Sequence, residues 1–247
     1  MLPDLTGLGT PEPVWAGWGD LAKFPELSLS PCPRTVVLIA PHPGDEVLGA
    51  GGTLALLAAA GARVRIVAVT DGEAPHPHSR SITPDQLRVR RVAERAEALR
   101  RLGLGDAEVV RCRIPDGGVA GNEQLLADTL GQLVSPGGWC LSPWDRDGHP
   151  DHDAVGRAAR LAADRAGAIS LSYPVWMWHW STPGDERVPW GRAVRVPLPR
   201  HVAEAKRSAS AAFTTQVTAL SEDPSDLPVL PQPVLARLLR EFEVLFR

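Results

Sequence analysis

Much that would place a chain quickly is missing from this one. There is no CxxC pair, and the three cysteines, Cys32, Cys112 and Cys140, are isolated and odd in number. That argues against a thiolate metal site and reads as small buried hydrophobes in a reducing compartment. Basic surplus is lacking too: the net charge is −3, so nothing points to nucleic acid or an acidic membrane as partner. No apolar run reaches membrane-spanning length without an arginine in it. The opening "MLPDLTGLGTPEPVW" has acidic and proline residues where a signal peptide needs a basic start and an apolar core, so the expected location is the cytoplasm. Nucleotide motifs fail on residues. Gly49, Gly51 and Gly52 break the G-x-G-x-x-G pattern at Leu54, and neither a P-loop lysine nor a G-x-S-x-G occurs. Tyrosine and phenylalanine are scarce, one and four, against eight tryptophans.

What is present is an ordinary globular composition, 44% apolar and 22% charged over 247 residues, enough to bury a substantial core. "RTVVLIA" (34–40) has the β-branched run of a buried strand, and 48–60 reads as a helix stopped by Gly61. A second strand follows at 62–70, then a turn-rich loop, then a long helix from Pro84 to a stop at Gly103. "AEVVRCRI" is a third strand ending at "PDGG", 124–134 a helix, "WCLSPW" a fourth strand and 151–166 a helix. "ISLSYPVWMWHW" and "RAVRVPL" read as strands, and 201–220 and 233–246 as closing helices. This alternation predicts an α/β fold, a mostly parallel sheet with helices on both faces. One domain is expected over 1–247, with 1–30 wrapping its surface and 221–247 forming a helical tail that docks on the domain or makes a homo-oligomer contact.

Ligands of open parallel sheets bind outside the carboxyl ends of the strands. His42, Asp45 and Glu46 follow the first strand at that edge. Asp145, Asp147, His149, Asp151 and His152 follow the fourth. Histidine with carboxylate is the ligand set of a catalytic zinc or related divalent ion, with one position left open for water. Either loop alone is weak evidence, since a histidine after a strand is commonly a cap or a loop residue. Two such loops converging from separate strands is the stronger observation.

"APHPGDEVLGAGG" and "DGHPDHDAVGRAA" resemble the two signature motifs of the PIG-L/LmbE-like zinc-dependent N-deacetylases, and "VTDGEA", "RIPDGG", "YPVWMWHW" and "KRSASAAFTTQ" follow in that family's order. The resemblance covers roughly residues 34–220. It implies a Rossmann-like fold and hydrolysis of an acetamido group on an N-acetylglucosamine-type small molecule. By position, His42, Asp45 and His152 match the ligands of one Zn²⁺ per chain, with Fe²⁺ or Co²⁺ able to take the same site. His149 matches the histidine that stabilises the oxyanion or protonates the leaving amine, Asp151 the residue that orients it, and Glu46 a brace or helix cap. The family pattern reads His-Pro-Asp-Asp-Glu, its first Asp being the general base. Here that position is Gly44. Asp147, Asp71 and Glu73 are the carboxylates on edge loops that could stand in, and the alternative is a metal- or sugar-binding protein without turnover.

Other features shape the substrate side. In a strand, Trp176, Trp178 and Trp180 would share one face, as core or as a flat platform for a sugar ring. His179 reads as a satisfied, partly buried histidine. The arginines between 80 and 101 are expected mostly on a solvated helix face, with Arg88 and Arg91 the two able to reach an anionic substrate group. The loop carrying His76 and His78 reads as a rim of the cleft.

Overall fold

A computed structural model describes residues 3–247. Seven strands form one sheet: β1 (Thr35–Ala40), β2 (Arg63–Ala68), β3 (Glu108–Arg111), β4 (Trp139–Pro143), β5 (Ile169–Tyr173), β6 (Ala193–Pro197) and β7 (Phe242–Phe246). Their order is β3-β2-β1-β4-β5-β7-β6, parallel from β3 to β5, with β7 antiparallel to both neighbours. The helices are α1 (Glu12–Ala16), α2 (Asp45–Ala59), α3 (Pro84–Arg101), α4 (Glu123–Gly131), α5 (Pro150–Ala166), α6 (Met177–Trp180), α7 (Arg200–Ser210), α8 (Thr214–Val217) and α9 (Gln232–Leu235). β1 is buried along nearly its whole length because both faces are covered. Val36, Leu38 and Ala40 join the cluster of α2, α3 and the C-terminal part, whereas Val37 and Ile39 join that of α4 and α5. The mostly parallel α/β architecture is thus as expected.

Three elements differ from expectation, and the first is 201–220, which holds two helices, α7 and α8, rather than one. The chain turns into α6 where "YPVWMWHW" was expected to stay extended. The cause lies across the fold: the buried Asp147 carboxylate accepts the N–H groups of Val175, Trp176 and Met177 at 2.9, 3.0 and 2.9 Å, capping a helical turn directly after Pro174. The tail does not close as one helix. Its last residues are β7, inserted between β5 and β6, with Val244, Leu245 and Phe246 buried. Apolar residues at 235, 238, 242 and 245 satisfy a helical period, but β5 and β6 offer unpaired edges that only a strand can satisfy.

β7 also repairs a break in α2, whose backbone leaves helical geometry at Ala50. The buried Glu243 carboxylate accepts from Gly52 N–H, Thr53 N–H and the Thr53 hydroxyl at 2.8, 2.7 and 2.6 Å. Lys206 bridges Glu243 and the Leu48 carbonyl at 2.6 and 2.9 Å. Gly49 is required here, because a Cβ would stand 2.1 Å from the Tyr173 ring. The N-terminal segment is tied down as a strap. Trp15 is fully buried and donates to the Trp178 carbonyl, and Arg237 donates to the carbonyls of Leu8 and Thr10.

Candidate active site

β1 lies between β2 and β4, so the chain leaves β1 and β4 side by side at the point where strand order reverses. That is where open α/β sheets bind ligands. After β1, the turn through Pro41–Gly44 enters α2 and carries His42 and Asp45. After β4, a loop enters α5, whose N-cap is His149 and whose first turn holds His152. The two loops line a cavity of about 260 Å³ whose walls include His42, Asp45, Asp116, His149, Trp176 and Gln216.

His42, Asp45 and His152 each offer one donor atom within 4.8 Å of the others. Asp45 Oδ2 lies 3.3 Å from His42 Nδ1 and 3.2 Å from His152 Nε2. His152 is fully buried, and its Nδ1 is engaged at 2.8 Å by Asp147, itself fully buried. Its Nε2 is buried and faces the Asp45 carboxylate at 3.2 Å without hydrogen-bond geometry. A buried imidazole nitrogen facing a carboxylate needs a proton or a cation, and two imidazoles with one carboxylate suit zinc. The electrostatics agree. Burial alone would lower the His152 pKa, but the charge of Asp45 and the hydrogen bond to Asp147 raise it to about 9. Asp45 is held well below the usual carboxylate range, the cost of its burial outweighed by His152 and His42.

The other edge of His42 faces carboxylates. Its Nε2 is 3.1 Å from Asp116 Oδ1 and 3.2 Å from Asp151 Oδ2. Such outer carboxylates fix the tautomer of a ligating histidine. His42, His149 and Asp151 form a second grouping of close donors. There, however, Asp151 already accepts from Gly117 N–H and Val119 N–H at 2.8 and 3.2 Å. Burial would raise the Asp116 carboxyl, but His42, the Ala74 N–H and Arg91 bring it down to about 2.

Asp151 does not direct its carboxylate at His149, as the resemblance implies. Its contact there is its backbone N–H, which donates to His149 Nδ1 at 3.2 Å. Accepting that bond needs the Nδ1 lone pair, so the ring proton sits on Nε2. Burial first, then the neighbouring His152 and His42, lower the His149 pKa to about 3, so the ring is neutral. The ring stacks on Trp176 at 6.1 Å.

The three carboxylates expected to replace a base at position 44 are engaged elsewhere. Asp147 holds His152 and α6, Asp71 pairs with Arg111 at 2.7 Å, and Glu73 accepts the Asp116 N–H at 3.2 Å. Glu46 accepts from Gly44 N–H and pairs with the buried Arg95, so it braces the motif. Arg91 and Arg95 are buried rather than solvated, and Arg91 lines the cavity, whereas Arg88 is on the surface with Asp85. Only Trp176 of the three tryptophans reaches the cavity. Trp178 packs edge-on against Trp15, and Trp180 donates to the Asp147 carbonyl beneath Arg187. His179 is buried between the Thr6 carbonyl and Arg237. Ala74 and Pro75 form part of the rim, beside the His76 loop.

Asp116 and Gln216 were not singled out from the sequence. Asp116 follows β3 in "RIPDGG" and the carboxyl-edge rule would have found it. Gln216 sits on α8 as the last residue of "KRSASAAFTTQ", and the place of that segment in the family's order was the signal that could have found it.

A family model described as PIG-L, GlcNAc-PI de-N-acetylase, matches residues 37–163. The chain is 34% identical over 202 residues to the 1D-myo-inositol 2-acetamido-2-deoxy-alpha-D-glucopyranoside deacetylase of Streptomyces avermitilis, a match covering 69% of this chain and 64% of that protein. The Streptomyces griseus protein of the same description is 33% identical over 54% of this chain and 49% of its own length. The chain therefore spans between about half and two thirds of these relatives. Among solved structures, the N,N'-diacetylchitobiose deacetylase of Pyrococcus horikoshii shares the fold with a TM-score of 0.58, at 20% identity over 82% of this chain and 78% of that one.

Proposed function

The chain belongs to the PIG-L family, and on that premise we propose that it is a metal-dependent hydrolase removing an acetyl group from an N-acetylglucosamine-type substrate. The observation that carries this reading is the convergence of His42 Nδ1, Asp45 Oδ2 and His152 Nε2, with His42 and Asp45 lining the cavity and His152 fully buried, its Nε2 turned to the Asp45 carboxylate. These three would hold one zinc ion, or iron or cobalt in the same set. When bound, the ion supplies Lewis-acid polarisation of the acetamide carbonyl and lowers the pKa of water.

The remaining work falls to the chain. His149, neutral with its proton on Nε2, donates a hydrogen bond toward the carbonyl oxygen as negative charge develops there. Trp176 stacks on His149 and keeps its ring in place. Asp147 keeps His152 in the required tautomer. Water oxygen bonds to the carbonyl carbon, and the C–N pair returns to nitrogen. One water proton ends on the amine nitrogen, and the other leaves the acetic acid for solvent, so the products are the amine and acetate. Relatives described as deacetylases of a 2-acetamido-2-deoxyglucoside support the sugar class.

Gly44 favours a second reading, a metal- or sugar-binding protein without turnover. A positioned base is typically worth about 10²–10⁴-fold, so its loss slows the reaction without removing the other contributions. Metal analysis tests the site: about one zinc per chain, lost in His152→Ala with the fold intact, is expected. A fully folded protein that takes up no divalent ion would overturn it.

A further inference from the structure

Gly44 does more than lack a carboxylate. Its backbone stands at φ +115°, a conformation that side chains rarely adopt, and the three atoms nearest a Cβ built there all belong to one residue. Its three nearest atoms are Nε2, Oε1 and Cδ of Gln216, at 3.2, 3.6 and 3.8 Å. A side chain from α8 thus fills the space into which residue 44 would project.

Gln216 is built into that place. It is buried, and Thr214 and Thr215 anchor its helix to the Glu94 carboxylate on α3 through hydroxyl and N–H bonds of 2.6–2.8 Å. Its backbone carbonyl accepts the Leu230 N–H at 2.9 Å. Its Nε2 donates to the Pro43 carbonyl, which only the NH₂ end of an amide can do, so the orientation of the carboxamide is determined. Oε1 then has no protein donor among the described residues, on a side chain that lines the cavity with His42 and Asp45.

We propose that Gln216 takes the place of the missing residue-44 carboxylate as the group that orients the attacking water. This rests on the deacetylase reading above. Oε1 accepts a hydrogen bond from the water and aims its lone pair at the acetamide carbon, as glutamine does for water attack in phosphoryl transfer. An amide cannot take the proton. When the O–C bond forms and the C–N bond breaks, the water proton passes to the leaving nitrogen through solvent, with no carboxylate holding it between. Gln216 is therefore a catalytic residue by contact with the reacting water, and Gly44 is the glycine that makes room for it.

Two readouts test this on the full-length protein. The first is a thermal-denaturation cycle on the metal-free chain, with Gly44→Asp, Gln216→Ala and the double variant. If the two side chains contest one space, Gly44→Asp lowers the Tm less when residue 216 is Ala than when it is Gln. Additive shifts would overturn the shared space. The second is turnover of zinc-loaded protein on a neutral N-acetylglucosaminide. Gln216→Ala is expected to lower kcat about tenfold or more with KM little changed. Gln216→Glu, which supplies a proton acceptor at the same atom, is expected to raise kcat above the wild-type value, toward the range a base provides. Unchanged kcat in Gln216→Ala, or a loss confined to KM, would overturn the role. If wild-type protein and Gln216→Glu both hydrolyse nothing, the deacetylase reading fails and this role with it, while the thermal cycle still decides the packing claim.

Discussion

At the scale of residues, the carboxylates of the site raise the proton affinity of two histidines. His42 is held well above its ordinary pKa, the cost of burial outweighed by Asp116, Asp151 and Asp45, and His152 is raised to about 9. Near pH 7 both rings are therefore charged in the metal-free chain. Ligation requires each to give up a proton, so zinc binding should release about two protons per ion, read by calorimetry in buffers of different ionisation enthalpy. The same shift has a stability sign. A histidine whose folded pKa lies above the unfolded value near 6.5 stabilises the fold fully below that value. The contribution is lost as pH rises toward about 9. The metal-free Tm should fall over that window and the zinc-loaded Tm should not. The grouping of His42, Asp45 and His152 was legible because the loops that carry them follow two strands, β1 and β4. Of the partners that tune it, Asp147 stands only five residues before His152 in the same loop, whereas Asp116 was harder to read, because it comes from the loop after β3 and only packing brings it to His42.

Among elements, α6 shows how a single carboxylate decides local structure. "VWMWHW" alternates well enough for a strand, yet three N–H groups capped by Asp147 turn it into helix. Asp147 thereby couples the wall that presents Trp176 to the orientation of His152. Asp147→Asn should weaken zinc binding by roughly 10–100-fold, the usual cost of removing an outer carboxylate. It should also shift tryptophan fluorescence as α6 loosens. Unaltered affinity would mean that the pair is incidental. The Lys206–Glu243 pair plays a comparable part for α2. Breaking it by Lys206→Met should cost about 3–5 kcal/mol, because it leaves Glu243 buried without its partner. Denaturant unfolding measures this directly.

For the whole molecule, strand order explains why two distant motifs meet. The reversal between β1 and β4 places both loops at one edge, and alternation of strands and helices along the chain was enough to expect that arrangement. The closing strand was not readable. Apolar residues of the tail fit a helix as well as a strand, and only the open edges of β5 and β6 decide between them. Those edges make β7 structural: burying Val244, Leu245 and Phe246 is worth about 1.5–3 kcal/mol apiece, together comparable to the net stability of a domain. A chain ending at Glu241 should lack a cooperative melting transition. A Tm within a few degrees of the full chain would refute that placement.

The most direct test of the central claim is acetate release by the zinc-loaded protein on a panel of N-acetylglucosaminides. Acetate and free amine should appear in equal amounts and slowly. Both should vanish when a chelator removes the metal, return when zinc is restored, and be absent in His152→Ala. Stoichiometric zinc with no acetate from any member of the panel would contradict the account and leave a binding protein in its place.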